Sequence, residues 1–285
     1  MSARWSAIKI NQEISDQGLF RIYSVTVGLL VENRKYITRG EIRKTDGKMK
    51  IQMVKKEKYL TLEELNRIPW LVHGFGLKGF DRDSLGHDPE LSAFQPVEMK
   101  QEHSARVLLI DRAPDRKPAV DALITSRPGL LLLVKTADCL PLFLVDAEHQ
   151  VVAAVHGGWR GTAGRLAEIT FDLMRKSFSS RPAGILVALG PAIEASCYEV
   201  GQEVYDSFSR QGFPSDITFS SAQRRGKYFL DLRAANLWLL TEVIGLPADN
   251  IFSLDWCTFC QPELLSYRRN MAEKARLLNF VGIKD

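Results

Sequence analysis

The chain has 285 residues, 45% hydrophobic, 25% charged and 9% aromatic, with 20 Gly and 12 Pro. This is the composition of an ordinary globular protein, and it excludes collagen-like and low-complexity chains. The net charge of +4 hides an asymmetry: residues 33–58 carry ten Lys or Arg against three acids, leaving the remainder near −3. No apolar run reaches the ~18 residues of a membrane span, and the amino terminus lacks the basic and apolar regions of an export signal. A cytoplasmic protein without membrane contact is expected.

The first 60 residues read as β-rich, with an extended run at 20–31 and a solvated hairpin turning at Asp46-Gly47. Few aromatics interleave with the basic residues and no nucleic-acid motif accompanies them, so nucleic acid is not expected as a partner. Thr61-Leu-Glu-Glu64 has the spacing of a capping box and predicts a short helix. From about Leu71 strands and helices alternate. Val/Leu-rich runs predict buried strands at 105–111, 130–135, 140–145, 151–155 and 184–189. Helices are predicted at 161–178, with Leu166, Ile169, Leu173 and Met174 as its apolar stripe, at 201–210 and at 232–244. Strands outnumber crossover helices, which favours an α+β fold of mixed β-sheets flanked by helices. A β-rich region 1–60 and a catalytic domain 61–285 would together form one compact unit.

The chemistry concentrates in Thr136-Ala-Asp-Cys-Leu-Pro141 and His156-Gly-Gly-Trp-Arg-Gly161. Cys139 and His156 stand at the ends of apolar runs, where an open sheet presents ligand-binding residues at its rim. They could be a thiolate–imidazole nucleophile pair, two metal ligands, or a buried thiol beside a satisfied histidine. The glycine turn lets backbone N–H groups approach a ligand, and Arg160 adds a donor fork suited to phosphate; an ordinary strand-to-helix turn is the plainer reading. Cys257-Thr-Phe-Cys260 is a C-x-x-C with no matching second ligand pair in the sequence, so buried thiols unconnected with an active-site metal are expected. His73, following an apolar stretch, is a third candidate ligand, although spacing alone does not separate it from His87, His103 or His149.

Asp121-Ala-Leu-Ile-Thr125, Pro128-Gly129, the two motifs above, Leu189-Gly-Pro-Ala-Ile193, Cys197-Tyr-Glu-Val-Gly201, Asp231-Leu-Arg-Ala-Ala-Asn236, Cys257-Thr258 and Ser266-Tyr-Arg-Arg269 together resemble the YfiH-like family. Its members are named variously as multicopper polyphenol oxidases, laccase-domain proteins and purine nucleoside phosphorylases. The resemblance implies an α+β fold with mixed sheets and a zinc held by His73, Cys139 and His156. Two motifs depart from the family pattern: Gln101-Glu-His-Ser104 keeps His103 but loses a glycine, and His73-Gly-Phe-Gly-Leu-Lys78 lacks an arginine.

Five histidines and no H-x-H pair are too few for a multicopper oxidase, though copper could occupy a mixed Cys/His site adventitiously. The resemblance therefore implies zinc-dependent phosphorolysis of a purine nucleoside such as adenosine, inosine, guanosine or methylthioadenosine. Purine nucleoside and phosphate are the partners, with adenosine deamination as a side activity. Cys139 and His156 are then catalytic, and Arg160, His103 and Arg268 contact substrate. The alternatives are an amide hydrolase acting on peptidoglycan precursors, a copper-loaded polyphenol oxidase, and a degenerate non-catalytic member.

Overall fold

A computed structural model describes residues 53–56 and 58–285; the predicted run at 20–31 and the Asp46-Gly47 turn lie outside them. Two six-stranded mixed sheets and one three-stranded sheet are present among the described residues. The first sheet runs in the order Met53–Lys55, Tyr59–Leu62, Leu71–Gly76, Leu277–Ile283, Leu130–Thr136 and Gln95–Glu98. The second runs Ile251–Ser253, Ile185–Leu189, Leu140–Asp146, Val151–Gly157, Ala122–Thr125 and Val107–Leu109. The α+β class with mixed sheets expected from the sequence is the class observed.

The layering explains why the strands read as unbroken apolar runs. Along Leu130–Thr136, Leu132 and Val134 face the second sheet, meeting Phe143, Val145 and Val152, while Leu131 and Leu133 turn to Phe80, Leu85 and Leu91. The second sheet is covered likewise: Leu140, Leu142 and Leu144 pack beneath the Leu166–Phe178 helix. Both faces of each sheet are thus dry, and the period-2 alternation has no polar side to display. Phe75 and Phe143 stack across the inter-sheet core with centroids 4.8 Å apart. Phe143→Ala should cost about 3–5 kcal/mol, read as a lowered urea midpoint at unchanged m-value.

Three local expectations are corrected. The helix predicted at 161–178 is two, Trp159–Ala163 and Leu166–Phe178, because the chain breaks at Gly164-Arg165. Arg165 is left-handed there (φ 61°), and a Cβ on Gly164 would sit 2.9 Å from that of Ala105. The buried stripe of the second helix is Leu166, Ala167, Thr170, Phe171 and Met174, with Ile169 exposed, so the apolar face is rotated from the predicted one. The capping box is absent: the helix is the single turn Glu63–Asn66 with no side-chain cap. Thr61 belongs to the preceding strand, and its hydroxyl accepts from Asn66 instead. The helix predicted at 232–244 is α-helical over Leu232–Trp238 and widens to a π-turn over Leu239–Val243.

Candidate metal centre

The three residues Ala137, Asp138 and Cys139 carry the chain from the Leu130–Thr136 strand of one sheet to the Leu140–Asp146 strand of the other. So short a crossing forces an unusual backbone: Asp138 has φ 93°, a region L-residues rarely occupy and one that costs of order 1–3 kcal/mol. The surroundings hold it there. Its carboxylate accepts from the Thr258 hydroxyl and from the Arg268 backbone N–H, both at 2.7 Å, and its carbonyl accepts from Ile193 N–H. The result is a rigid corner that presents Cys139 at the sheet rim.

His156 comes from the adjacent Val151–Gly157 strand, where it pairs with Pro141. Its Nδ1 lies 2.9 Å from Oδ1 of Asp121, a fully buried carboxylate, which leaves Nε2 as the nitrogen free for a metal. Asp121 also accepts from the backbone N–H groups of Glu102, His103 and Ser104 and from the Ser104 hydroxyl. One buried side chain therefore fixes His156 and pins the loop on which His103 stands in a left-handed conformation, φ 57°. Burial alone would raise the Asp121 carboxyl, but His156 and the Ser104 donors outweigh it and hold it far below the usual carboxylate range.

These elements bring His103, Cys139 and His156 together, with one donor atom from each lying within 4.8 Å of the others. His103 Nε2 is 3.9 Å from Cys139 Sγ, and the two imidazole rings meet edge-on at 4.8 Å. Burial would push the Cys139 thiol up, yet the charge of His156 and the His103 contact bring it down to about 6. Burial would lower His156, yet the Cys139 thiolate and Asp121 raise it to about 9. Each charge thus favours the other, and a cation bound here would compete with the proton on His156.

His73, expected as a ligand from the resemblance, lies outside this group among the described residues. His73 lies in the Leu71–Gly76 strand, buried, with Nε2 accepting the Leu62 backbone N–H at 2.9 Å. Burial and then Lys56 hold it down to about 3, so it is a neutral core acceptor. His103, assigned to substrate in the sequence reading, is the second histidine of the group. Asp121 and Asp138 belong to the quoted motifs, but no role could be given to either before the fold placed their partners.

Gly158 is needed for the close approach. A Cβ there would lie 3.0 Å from His103 Cδ2 and 3.1 Å from Cys139 Sγ, although its φ of −73° suits any residue. Gly158→Ala should keep the wild-type melting temperature while weakening retention of a bound divalent metal against a chelator by tenfold or more, as ligand-orienting changes do. Unchanged retention would mean that the gap is not the metal's.

The group opens on a cavity of about 960 Å³ lined also by Lys135, Trp159, Arg160, Tyr198, Tyr267 and Arg268. Arg160 stacks on Trp159 at 4.2 Å and forms no ion pair among the described residues. The single-turn helix that begins beside it is too short to carry the helix-dipole contribution expected from a helix continuing to 178. Arg268 is held by the Glu199 carbonyl and lies over the Tyr198 ring at 5.2 Å. Lys135 pairs with Glu98, which also meets Arg82 and Lys117. Burial opposes ionisation of Glu98, but Lys117 and Lys135 bring it down to about 2. Its stabilising contribution is therefore complete above about 4.5 and lost as pH falls through about 2. Glu98→Gln should lower the melting temperature at pH 7, with the gap closing as the pH approaches 2.

The two packed sheets thus present one mixed Cys/His group that could hold a metal ion, in a cavity lined by Lys135, Arg160 and Arg268. The family model described as multi-copper polyphenol oxidoreductase laccase matches residues 82–284, and the chain belongs to this YfiH-like family. A purine nucleoside phosphorylase of Bacteroides thetaiotaomicron is 34% identical over 58% of this chain and 61% of its own length. The protein named adenosine deaminase RL5, from an unknown prokaryotic organism, is 39% identical over 65% of this chain and 72% of its own. The match thus spans about three fifths of the Bacteroides relative. The crystal structure of Bacillus licheniformis hypothetical protein YfiH superposes with a TM-score of 0.74 at 27% identity, covering 80% of this chain and 97% of that one. Among the described residues no helix is long and apolar enough to cross a membrane.

Proposed function

We propose that the chain is a zinc-dependent purine nucleoside phosphorylase, with adenosine deamination as a side activity of the same site. The observation that carries this is Arg160, a guanidinium without an ion-pair partner among the described residues, lining the same cavity as His103, Cys139 and His156. The donor set fits zinc: two imidazoles and one thiolate, converging within 4.8 Å, with Asp121 orienting one ligand and the cavity side open. When bound, zinc supplies Lewis-acid polarisation of a substrate oxygen or nitrogen. The names of the Bacteroides and RL5 relatives support nucleoside substrates.

The chain's own residues supply the rest. Arg160 and Lys135 offer positive charge to phosphate, and Arg160 can do so bidentately. Burial pushes the Tyr198 phenol far above its ordinary value, so it stays a neutral donor. Tyr267, 47% exposed at the cavity, offers a flat face for a purine. Positioning of phosphate against the anomeric carbon is the contribution expected of such a clamp. Arg160→Ala removes a charge-assisted contact of about 1.5–3 kcal/mol, so the phosphate KM should rise roughly tenfold or more while zinc content stays unchanged. An unchanged KM removes Arg160 from phosphate binding.

A second reading rests on the Asp121–His156–Cys139 order, which also suits a cysteine nucleophile acting on amides. Chelation separates the two: it abolishes zinc-dependent phosphorolysis, whereas a free Cys139 thiolate would hydrolyse amides faster once the metal is gone.

A further inference from the structure

The C-x-x-C has a partner that the sequence did not reveal. Residues 192–197 and 256–260 lie side by side, zipped by a parallel bridge between Ala192 and Cys257 and by Thr258 N–H to the Ala192 carbonyl at 3.0 Å. This brings in Cys197, the last residue of a single 3-10 turn; of the two thiols expected to be buried, Cys257 is and Cys260 is not. The sulfurs of Cys197, Cys257 and Cys260 all lie within 4.8 Å of one another, with Cys197 and Cys260 at 3.4 Å. Cys257 is buried and accepts the Glu194 backbone N–H at 3.5 Å; Cys260 is exposed.

We propose that Cys197, Cys257 and Cys260 form a second metal site, separate from the His103–Cys139–His156 group, that takes a thiophilic divalent cation of the zinc type. With zinc–sulfur bonds of about 2.3 Å, sulfurs on one face of a tetrahedron stand roughly 3.8 Å apart, a separation three thiols within 4.8 Å reach by small side-chain rotations. The fourth position faces solvent beside Cys260. The loop is already shaped for a ligand. Arg269 donates to the carbonyls of Thr258, Phe259 and Gln261 at 2.8, 2.8 and 3.1 Å and to that of Leu264, fixing the turn between the two cysteines. Its guanidinium also offsets the excess negative charge of three thiolates around a divalent ion.

The position gives the site a role. Thr258, beside Cys257, donates to Asp138, and Asp138 is the strained residue that presents Cys139. Tyr198, beside Cys197, lines the cavity. A cation holding the three sulfurs clips together the two segments that brace this corner.

The test is titration of the full-length, reduced, metal-free protein with cobalt(II), followed by its thiolate-to-metal charge-transfer band. Wild type should bind two equivalents. Cys197→Ser/Cys260→Ser should bind one, with charge-transfer intensity falling to about a quarter, since one thiolate of four remains coordinated. Cys139→Ser should keep the three-thiolate spectrum. Cys260→Ser alone, a surface change that leaves the packing intact, should already weaken the second equivalent. Loss of the three-thiolate spectrum in Cys139→Ser, or two equivalents in Cys197→Ser/Cys260→Ser, overturns the proposal. So does a Cys197–Cys260 disulfide in the isolated protein with no second equivalent bound after its reduction.

Discussion

His103→Ala should lose zinc from the centre and with it nucleoside cleavage, by more than about 100-fold, because even changes to groups that only orient a ligand cost 10–100-fold. His73→Ala should keep its zinc. The contrast follows from the two positions: His103 Nε2 faces Cys139 Sγ at 3.9 Å, whereas His73 Nε2 is occupied by the Leu62 N–H. His73→Ala acts on stability instead, since it removes a buried side chain and orphans a backbone donor, a cost of about 1–3 kcal/mol for the donor alone. Zinc content by elemental analysis, measured beside a melting curve for each variant, reads both effects. Equal zinc loss in the two, with folding intact, would return His73 to the ligand set.

Asp121→Ala should be the most damaging single change outside the ligands themselves. It strips the partner from His156 Nδ1 and from the N–H groups of Glu102, His103 and Ser104 at once, all inside a site where Asp121 is wholly buried. Breaking a buried charged pair by removing one member costs about 3–5 kcal/mol. Zinc affinity should fall 10–100-fold in whatever protein folds. Asp121→Asn separates the two losses. It keeps the volume and can still accept one or two of the backbone hydrogen bonds, so it should fold better than Asp121→Ala while the orientation of His156 remains impaired. A zinc affinity in Asp121→Asn equal to that of wild type would mean that Asp121 organises the loop but not the metal.

The sequence made the sheets legible because burial on both faces turns strands into continuous Leu/Val runs, and 130–135, 140–145 and 151–155 each fall within an observed strand. Cys139 and His156 were legible for the same reason, as reactive residues closing such runs. His103 was legible as a site residue through its motif, but not as a neighbour of Cys139 and His156, because it stands on an irregular loop whose position depends on Asp121, a residue 18 positions away that only the fold brings beneath it. The break at Gly164-Arg165 was hidden likewise: it answers to the approach of Ala105 from the loop before the Val107–Leu109 strand. Cys197 lies 60 residues before Cys257, so no local spacing could pair them; the bridge at Ala192 does.

The most direct test of the proposed phosphorolysis is the fate of inosine in the presence of zinc-loaded protein, followed with and without inorganic phosphate. The geometry of Arg160 beside the His103–Cys139–His156 group predicts hypoxanthine release that requires phosphate and yields ribose 1-phosphate in equal amount. Hypoxanthine released at the same rate without phosphate, or no release by protein that holds its zinc, would contradict it.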